Sequence, residues 1–402
     1  MLYRIEIKKT WAQSLNWVGA VLIVLFLLTA FLTTLRRDPV AVDPAEVAIA
    51  DRYTGRLKQL NTALDVYDQA EHLTAADKVA QAQLMGEKTV VQGVIMAQSG
   101  ISSPLGDAAR QAARRETARA TLAYQRYILT RVRAKTAPST AIGADGVLSP
   151  PSLRASRRNV AFYQALVARK LPEIPAARHT APAANYLFNA VSEGRFTLVL
   201  LLITLLPLVN GLMKDKQDGT TALGQVLPLG PVPPLLARAA AGLTLALAML
   251  AVALGVSYLL IGLRNGFGLW HYPVIIERAG RPVVTELGGA MGHYALLFAA
   301  AVVFLAAAAV LLSLLSSGLT TVLLGLTALL ALALVPLHGG AWRLAPFGYL
   351  QAGDIVMNRN EGMLGIGGGV LLLLAWAAVL GAASLGVIAA LRSQRVQAWR
   401  VR

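Results

Sequence analysis

Six long apolar runs, none of which contains a charged residue, constrain this chain more than any motif does. A helix rises about 1.5 Å per residue, so about 20 apolar residues cross a hydrocarbon core of about 30 Å. The sequence therefore predicts an all-α polytopic membrane protein with six transmembrane helices. The runs cover residues 17–35, 196–213, 239–263, 294–317, 318–337 and 363–391.

One uncharged stretch, residues 294–337, is too long for a single span. It covers 44 positions, and a helix of that length would measure about 66 Å, twice the core thickness. We expect it to break at Ser316-Ser317-Gly318 into two spans joined by a tight turn.

The runs divide the chain into three parts. Residues 1–35 are predicted to form an interfacial N-terminal helix and the first span. Residues 36–195 form a large helical domain between the first and second spans, with 22 of the 37 basic and 14 of the 21 acidic residues. Residues 196–402 form a five-span membrane domain.

The domain over residues 36–195, called the insert here, has helical periodicity. We predict no strand in the chain. Apolar residues spaced four and three apart form a seam on a first helix, and Thr74 to Asp77 matches a capping box that starts a second. A third helix is expected from about 104 to 134, a loop over 135–150 and a fourth helix over 152–170. The seam residues are Tyr53, Leu57, Leu60, Leu64 and Tyr67.

Four arginines of the third helix are spaced four, seven and seven residues apart, which places them on one helix face. One hypothesis is a surface for an anionic partner, such as lipid headgroups, a wall polymer or an anionic substrate. The alternative is a solvated face whose arginines cover neighbouring alanines. The four are Arg115, Arg119, Arg126 and Arg133.

Basic residues in the short connections predict the orientation. Ten of them lie at the ends that face the same side as the two termini, and five lie at the opposite ends. Since basic residues concentrate in cytoplasmic loops, both termini are expected in the cytoplasm and the insert outside it. We expect a multi-pass protein of the cell (plasma) membrane. The net charge of +16 suits contact with membrane lipid and does not by itself indicate nucleic acid.

Several kinds of chemistry are missing from the sequence. Ion-driven carriers place ionisable groups at mid-membrane, and the apolar runs contain no charged residue. The chain has no phosphate-binding G-x-x-x-x-G-K-[ST] loop, no catalytic elbow and no cysteine, and its five histidines are scattered. No catalytic residue, metal site or bound cofactor is predicted, and any driving energy for transport is expected to come from outside the spans.

The segment after the second span resembles permeases of type-2 class ABC exporters. Those proteins carry an acidic residue after the second span, followed four residues later by Gly-Thr. A proline lies nine residues after that glycine, and a basic residue lies ten residues after the proline. The layout is also similar, including an external re-entrant segment at 339–362 with Trp342, Pro346, Phe347 and Tyr349. The matching positions after the second span are Asp215, Gly219, Thr220, Pro228 and Arg238.

The resemblance implies an export function. A second permease copy or paralogue would complete a dimer, and each permease would bind a cytoplasmic ABC ATPase that holds ATP and Mg. Residues 214–238 would dock on that ATPase and couple its closure to the spans. The uncharged spans favour a hydrophobic or amphipathic substrate, such as an antimicrobial peptide, a drug or a lipid-like compound.

Two other functions stay open at this point. The chain fits a non-transporting membrane sensor or scaffold whose external helical domain binds a partner. A membrane-embedded enzyme acting on lipids is less favoured, because Asp354 and Glu361 are seven residues apart and have no histidine beside them.

Overall fold

The computed structural model describes eleven stretches of the chain, and within them it is almost entirely helical. The stretches contain thirteen α-helices and two small antiparallel hairpins, which confirms the all-α prediction. They are residues 2–32, 44–70, 72–101, 107–143, 147–174, 181–219, 232–278, 281–316, 318–335, 340–357 and 363–400.

The helices are numbered here in chain order. They are α1 (Leu2–Trp11), α2 (Ser14–Leu32), α3 (Pro44–Asp68), α4 (Ala75–Ser99), α5 (Asp107–Arg133), α6 (Leu153–Ala168), α7 (Ala183–Val191), α8 (Gly194–Gln217), α9 (Val232–Asn265), α10 (Leu287–Leu315), α11 (Leu319–Leu332), α12 (Ala352–Val356) and α13 (Gly365–Arg400). The strands are β1 (Ala141–Ile142), β2 (Leu148–Ser149), β3 (Pro273–Arg278) and β4 (Arg281–Glu286).

The chain divides into two compact units. The apolar unit consists of Met1–Leu32, Leu187–Phe267 and Ala290–Arg402, and the insert unit consists of Thr33–Tyr186 and Gly268–Gly289. The insert unit therefore includes a second piece of chain, between α9 and α10, that sequence reasoning did not assign to it.

Long apolar helices dominate the apolar unit. Within the described residues, α8, α9, α10 and residues 365–391 of α13 are long and apolar enough to cross a membrane. A fifth candidate results if α1 and α2, which meet at 63°, count as one span, and α11 is a shorter apolar helix. Four to five of the six predicted spans thus have candidates by length and composition.

The break predicted in the longest apolar stretch is confirmed. Helix α10 ends at Leu315 and α11 begins at Leu319, with Gly318 in extended conformation as its N-terminal cap. The Ser316 hydroxyl accepts a hydrogen bond from the Gly318 N–H at 3.2 Å. A serine side chain thus takes the place of the helical backbone acceptor where the chain turns.

The four helices predicted for the insert are confirmed, and α5 and α6 end within two residues of their predicted C-terminal ends. The capping box forms as predicted, with the Thr74 side chain accepting from the Asp77 N–H. The seam residues Tyr53 and Leu60 are buried against Val91, Val94 and Tyr124, so α3, α4 and α5 share one core. Burial raises the pKa of Tyr124 to about 12.

A buried ion pair joins α3 to α4 inside the insert unit. The Arg56 guanidinium lies 2.8 Å from the Glu87 carboxylate, and their side chains are 11% and 1% exposed. A charge so far from water is tolerated only with a close partner. This pair therefore specifies how the two helices align.

The prediction that the chain has no strand was wrong. Strands β3 and β4 pair antiparallel from Pro273↔Glu286 to Arg278↔Arg281. The signal was present in two short runs of β-branched residues on either side of Gly280. The hairpin packs on α6, where Arg169 donates to the His271 carbonyl at 2.6 Å.

Removal of the buried carboxylate should destabilise the insert unit. In Glu87→Ala the Arg56 guanidinium stays buried without its partner, and we expect a loss of about 3–5 kcal/mol in the free energy of unfolding. Glu116→Ala removes the carboxylate of an ion pair whose side chains are both largely exposed, and it should change stability by less than about 0.5 kcal/mol. Thermal unfolding of the purified chain, followed by circular dichroism, compares the two. Equal effects would contradict the importance of the buried pair.

Candidate functional site

A buried carboxylate connects three helices of the apolar unit. Asp215, in the last turn of α8, is 7% exposed. Its Oδ1 lies 2.5 Å from Lys9 Nζ of α1, and its Oδ2 pairs with the guanidinium of Arg238 in α9. Arg238 Nε also lies 3.3 Å from Glu6 Oε1. We call these four residues the ion cluster.

The local sequence explains how the ion cluster forms. Glu6 and Lys9 are three residues apart in α1 and so lie on neighbouring positions of one helix face. Arg238 lies in the second turn of α9, because α9 begins at Val232. Pro233 and Pro234 are accommodated in its first turn, where the backbone N–H groups have no helical acceptor.

Helix α9 begins before the apolar run that predicted it. That run starts at 239, with Arg238 just before it. The helix instead begins seven residues earlier. Helix α8 continues to Gln217, and residues 220–231 of the predicted segment 214–238 lie outside the described residues.

A cluster of amide side chains lies next to the ion cluster, at the bend between α1 and α2. Asn16 Nδ2 donates to the Thr10 carbonyl at 2.6 Å, and Asn210 Nδ2 donates to Gln13 Oε1 at 2.7 Å. A second contact of 3.2 Å joins Asn210 to Asn16 Oδ1. These bonds satisfy a backbone carbonyl at the helix break and attach the bend to α8.

Lys216 extends the same region toward the break between α10 and α11. Its ammonium donates to the Ser313 and Ser316 carbonyls, the second at 2.7 Å. The last carbonyls of a helix have no intrahelical donor and carry partial negative charge. The end of α8 therefore also holds the end of α10.

Sequence reasoning identified only part of this arrangement. Asp215 and Arg238, both predicted in the segment after the second span, are brought together. The contributions of Glu6, Lys9 and the amides were missed. A usable signal was the presence of Gln13, Asn16 and Asn210 beside or within apolar runs, where polar side chains seek partners on other helices.

Gly219 ends α8 with a backbone turn that favours glycine. Its φ is +68°, and a Cβ at this position would have nothing within 4 Å. A larger side chain would therefore meet strain from the backbone and not from its neighbours. The predicted contact residues Thr220 and Pro228 lie outside the described residues.

The segment predicted as re-entrant forms short turns and α12. Two 3₁₀ turns cover Gly340–Leu344 and Phe347–Tyr349. Tyr349 is fully buried; its hydroxyl donates to the Arg343 carbonyl at 3.0 Å and accepts from the Leu364 N–H at 2.9 Å. A Cβ on Gly353 would lie 2.4 Å from the Val191 carbonyl, so α12 packs directly on the end of α7.

The arginine stripe of α5 belongs to the insert unit. Arg115, Arg119, Arg126 and Arg133 are all exposed. Arg119 pairs with Glu116 at 3.0 Å. In the described part of the chain, no group of three or more His, Cys, Asp or Glu residues could hold a metal ion.

Comparisons with known proteins leave the site to be interpreted from its own contacts. No protein-family model matches the chain, and neither the curated proteins nor the solved structures contain a significant match. The chain is a helical multi-pass membrane protein by its four to five long apolar helices.

Neutralising Asp215 should loosen the apolar unit. Asp215→Asn keeps the shape of the side chain, but it leaves Lys9 and Arg238 without their shared carboxylate. We expect a loss of about 3 kcal/mol in the free energy of unfolding. Asp218→Asn breaks only a half-exposed pair with Lys214 on the same helix and should cost less than about 1 kcal/mol. Unfolding in detergent measures both, and an equal cost would refute a central role for Asp215.

Proposed function

We propose that this chain is the membrane permease subunit of an ATP-driven exporter similar to the type-2 class. It moves a hydrophobic or amphipathic compound outward, and a separate cytoplasmic ATPase supplies the energy. The observation that carries this proposal is the buried Asp215 carboxylate, which joins α1, α8 and α9 and in sequence shortly precedes segment 218–231. A force applied to that segment passes to three helices at once.

Contacts at one end of the apolar unit support a six-span path. The ion cluster brings together α1, the end of α8 and the start of α9, and Lys216 adds the break between α10 and α11. These parts can lie on one side of a membrane only if an even number of spans separates them. Two apolar helices separate α1 from the end of α8, and two separate the start of α9 from that break.

Contacts within the insert unit support the same path. The hairpin β3–β4 packs on α6, with Arg169 3.5 Å from Glu286 and the Ile174 N–H donating to the Tyr272 hydroxyl at 3.1 Å. Both segments must then lie on the same side of the membrane. The chain between them contains α8 and α9, an even number of long apolar helices.

The energy source follows from what the spans lack. The apolar runs contain no charged residue that could bind a coupling ion, and the sequence has no phosphate-binding loop. Work therefore enters through a contact outside the hydrocarbon. In this proposal ATP and Mg bind the partner ATPase, which docks on residues 214–238, including Gly219, Thr220 and Pro228.

Helix α13 has room for the second permease of the proposed dimer. Only 22% of an 18-residue apolar stretch of this helix is buried within the chain, against 44–67% for the corresponding stretches of α8, α9 and α10. A Cβ on Gly381 would meet nothing of this chain within 4 Å. Lipid or a second copy or paralogue covers this face.

The predicted topology is open to a direct test, because the chain has no cysteine. Single cysteines at Ser139, in the insert, and Ser393, near the C-terminus, should label from opposite sides of the membrane with an impermeant maleimide. Right-side-out cells give the first signal, and inverted vesicles give the second. Labelling of both positions from one side would refute the six-span path.

Backbone strain at the docking segment should uncouple the transporter. Gly219→Val forces a β-branched residue into positive φ, at about 1–3 kcal/mol of local strain. Export and ATP turnover of the complex with its co-purified ATPase should fall severalfold while membrane insertion is retained. Gly266→Val is the matched control, because Gly266 also has positive φ (+86°) and open space around it, but it follows α9 at that helix's other end.

The outcomes of this experiment distinguish the exporter function from the sensor or scaffold function. Full activity in Gly219→Val would show that coupling does not use this segment. If no ATPase co-purifies with the wild-type chain, the exporter proposal fails and the sensor or scaffold function replaces it.

A further inference from the structure

The positive charge of the insert is concentrated on two helices. Helices α5 and α6 contain ten arginines and two acidic residues, and the remaining twelve basic residues of segment 36–195 are balanced by twelve acidic ones. Neither helix contains a lysine. The net charge of +8 over this segment is thus a property of one pair of packed helices.

The core of the insert unit determines which face of α5 points outward. The Tyr124 hydroxyl accepts from the Ile142 N–H at 3.1 Å, and Gln125 Nε2 donates to the Ile142 carbonyl at 2.8 Å. Asn159 of α6 donates to Gln125 Oε1 at 3.2 Å. These buried contacts prevent α5 from turning about its axis, so the arginines on its opposite face are held outward.

Those arginines form a narrow line. Arg115 to Arg133 spans 18 residues, or about 27 Å of helix, and all four members of the stripe lie within about 40° of one another around the axis. Spacings of four, seven and seven residues correspond to about 6, 10 and 10 Å along that line. A flat partner would touch only this ridge, whereas an extended chain can follow its full length.

Most of the stripe has no ion-pair partner within the part of the chain that the structure describes. Among the described residues, Arg115, Arg126 and Arg133 have no ion pair, and Arg119 pairs only with the exposed Glu116. The other exposed positions between them are Glu116, Ala123 and Thr130, and Leu122 and Leu129 are buried, so no large apolar side chain is exposed between the ends of the stripe. Helices that lie in a membrane interface need an apolar face beside the basic one. The stripe therefore lacks the apolar contact that would favour lipid.

We infer that the exposed arginine line of α5 binds a linear oxyanion-bearing polymer along its length. Planar guanidinium groups suit phosphate, sulfate and carboxylate oxygens, with which they form paired hydrogen bonds. The inference is independent of the export function, because it rests on the insert unit alone. In the proposed topology the polymer would lie outside the cell.

The test uses the full chain in nanodiscs of zwitterionic lipid, immobilised on a biosensor. Inorganic polyphosphate, orthophosphate and phosphatidylglycerol vesicles are applied over a range of salt concentrations. The variant Arg115→Gln/Arg126→Gln/Arg133→Gln is compared with Lys58→Gln/Lys78→Gln/Lys88→Gln, which removes the same number of charges from α3 and α4. Circular dichroism checks that both variants keep the wild-type helix content and unfolding temperature.

We expect polyphosphate to bind the wild-type chain and the lysine variant, and the arginine variant to bind it about tenfold or more weakly. The slope of log affinity against log salt should fall by about 2 in the arginine variant, since three phosphate contacts are lost. Equal binding by both variants would overturn the inference, and so would failure of the wild-type chain to bind polyphosphate at low salt. Arginine-dependent binding of the anionic vesicles without binding of polyphosphate would assign the surface to lipid instead.

Discussion

The need to keep charge out of hydrocarbon organises the apolar unit. Every long apolar helix excludes charged residues from its central run, so acids and bases gather where helices end. Asp215 lies in such a place, and a carboxylate that is 7% exposed requires close partners. Lys9 and Arg238 provide them, and the positions of α1 and α9 beside α8 depend on that pairing.

The ion and amide clusters have different physical roles. Charges at helix ends give a strong interaction that depends on alignment, while the amides at the α1–α2 bend satisfy backbone groups that a broken helix exposes. Lys216 donates to backbone carbonyls at the end of α10, as Asn16 does at the end of α1. Together they join the ends of several helices of the apolar unit.

The insert unit is built from two separate pieces of chain. Hairpin β3–β4 directly follows α9 and precedes α10, yet it packs on α6 through Arg169 and Tyr272.

Local patterns predicted the helices of the insert well. The seam from Tyr53 to Leu64 and the capping box at Thr74 depend on residues within one or two turns, and such interactions do not require the rest of the fold. The β3–β4 hairpin was missed, because two six-residue strands show little periodicity and are stabilised by packing on α6. The start of α9 was missed because the prediction followed the apolar run from 239, whereas the helix begins at Val232 with two prolines in its first turn, which accepts them.

The sequence by itself determined the membrane class, the apolar helices, the break at Ser316–Gly318 and the spacing of the arginine stripe, since all of these depend on the order of residues along one stretch of chain. Only the tertiary structure decided that Asp215 meets Lys9 and Arg238, 206 residues and 23 residues away in sequence. It alone decided that the hairpin belongs to the insert unit and which face of α5 points outward. Such contacts join distant segments, and their partners are selected by packing and by the cost of leaving a buried charge unpaired.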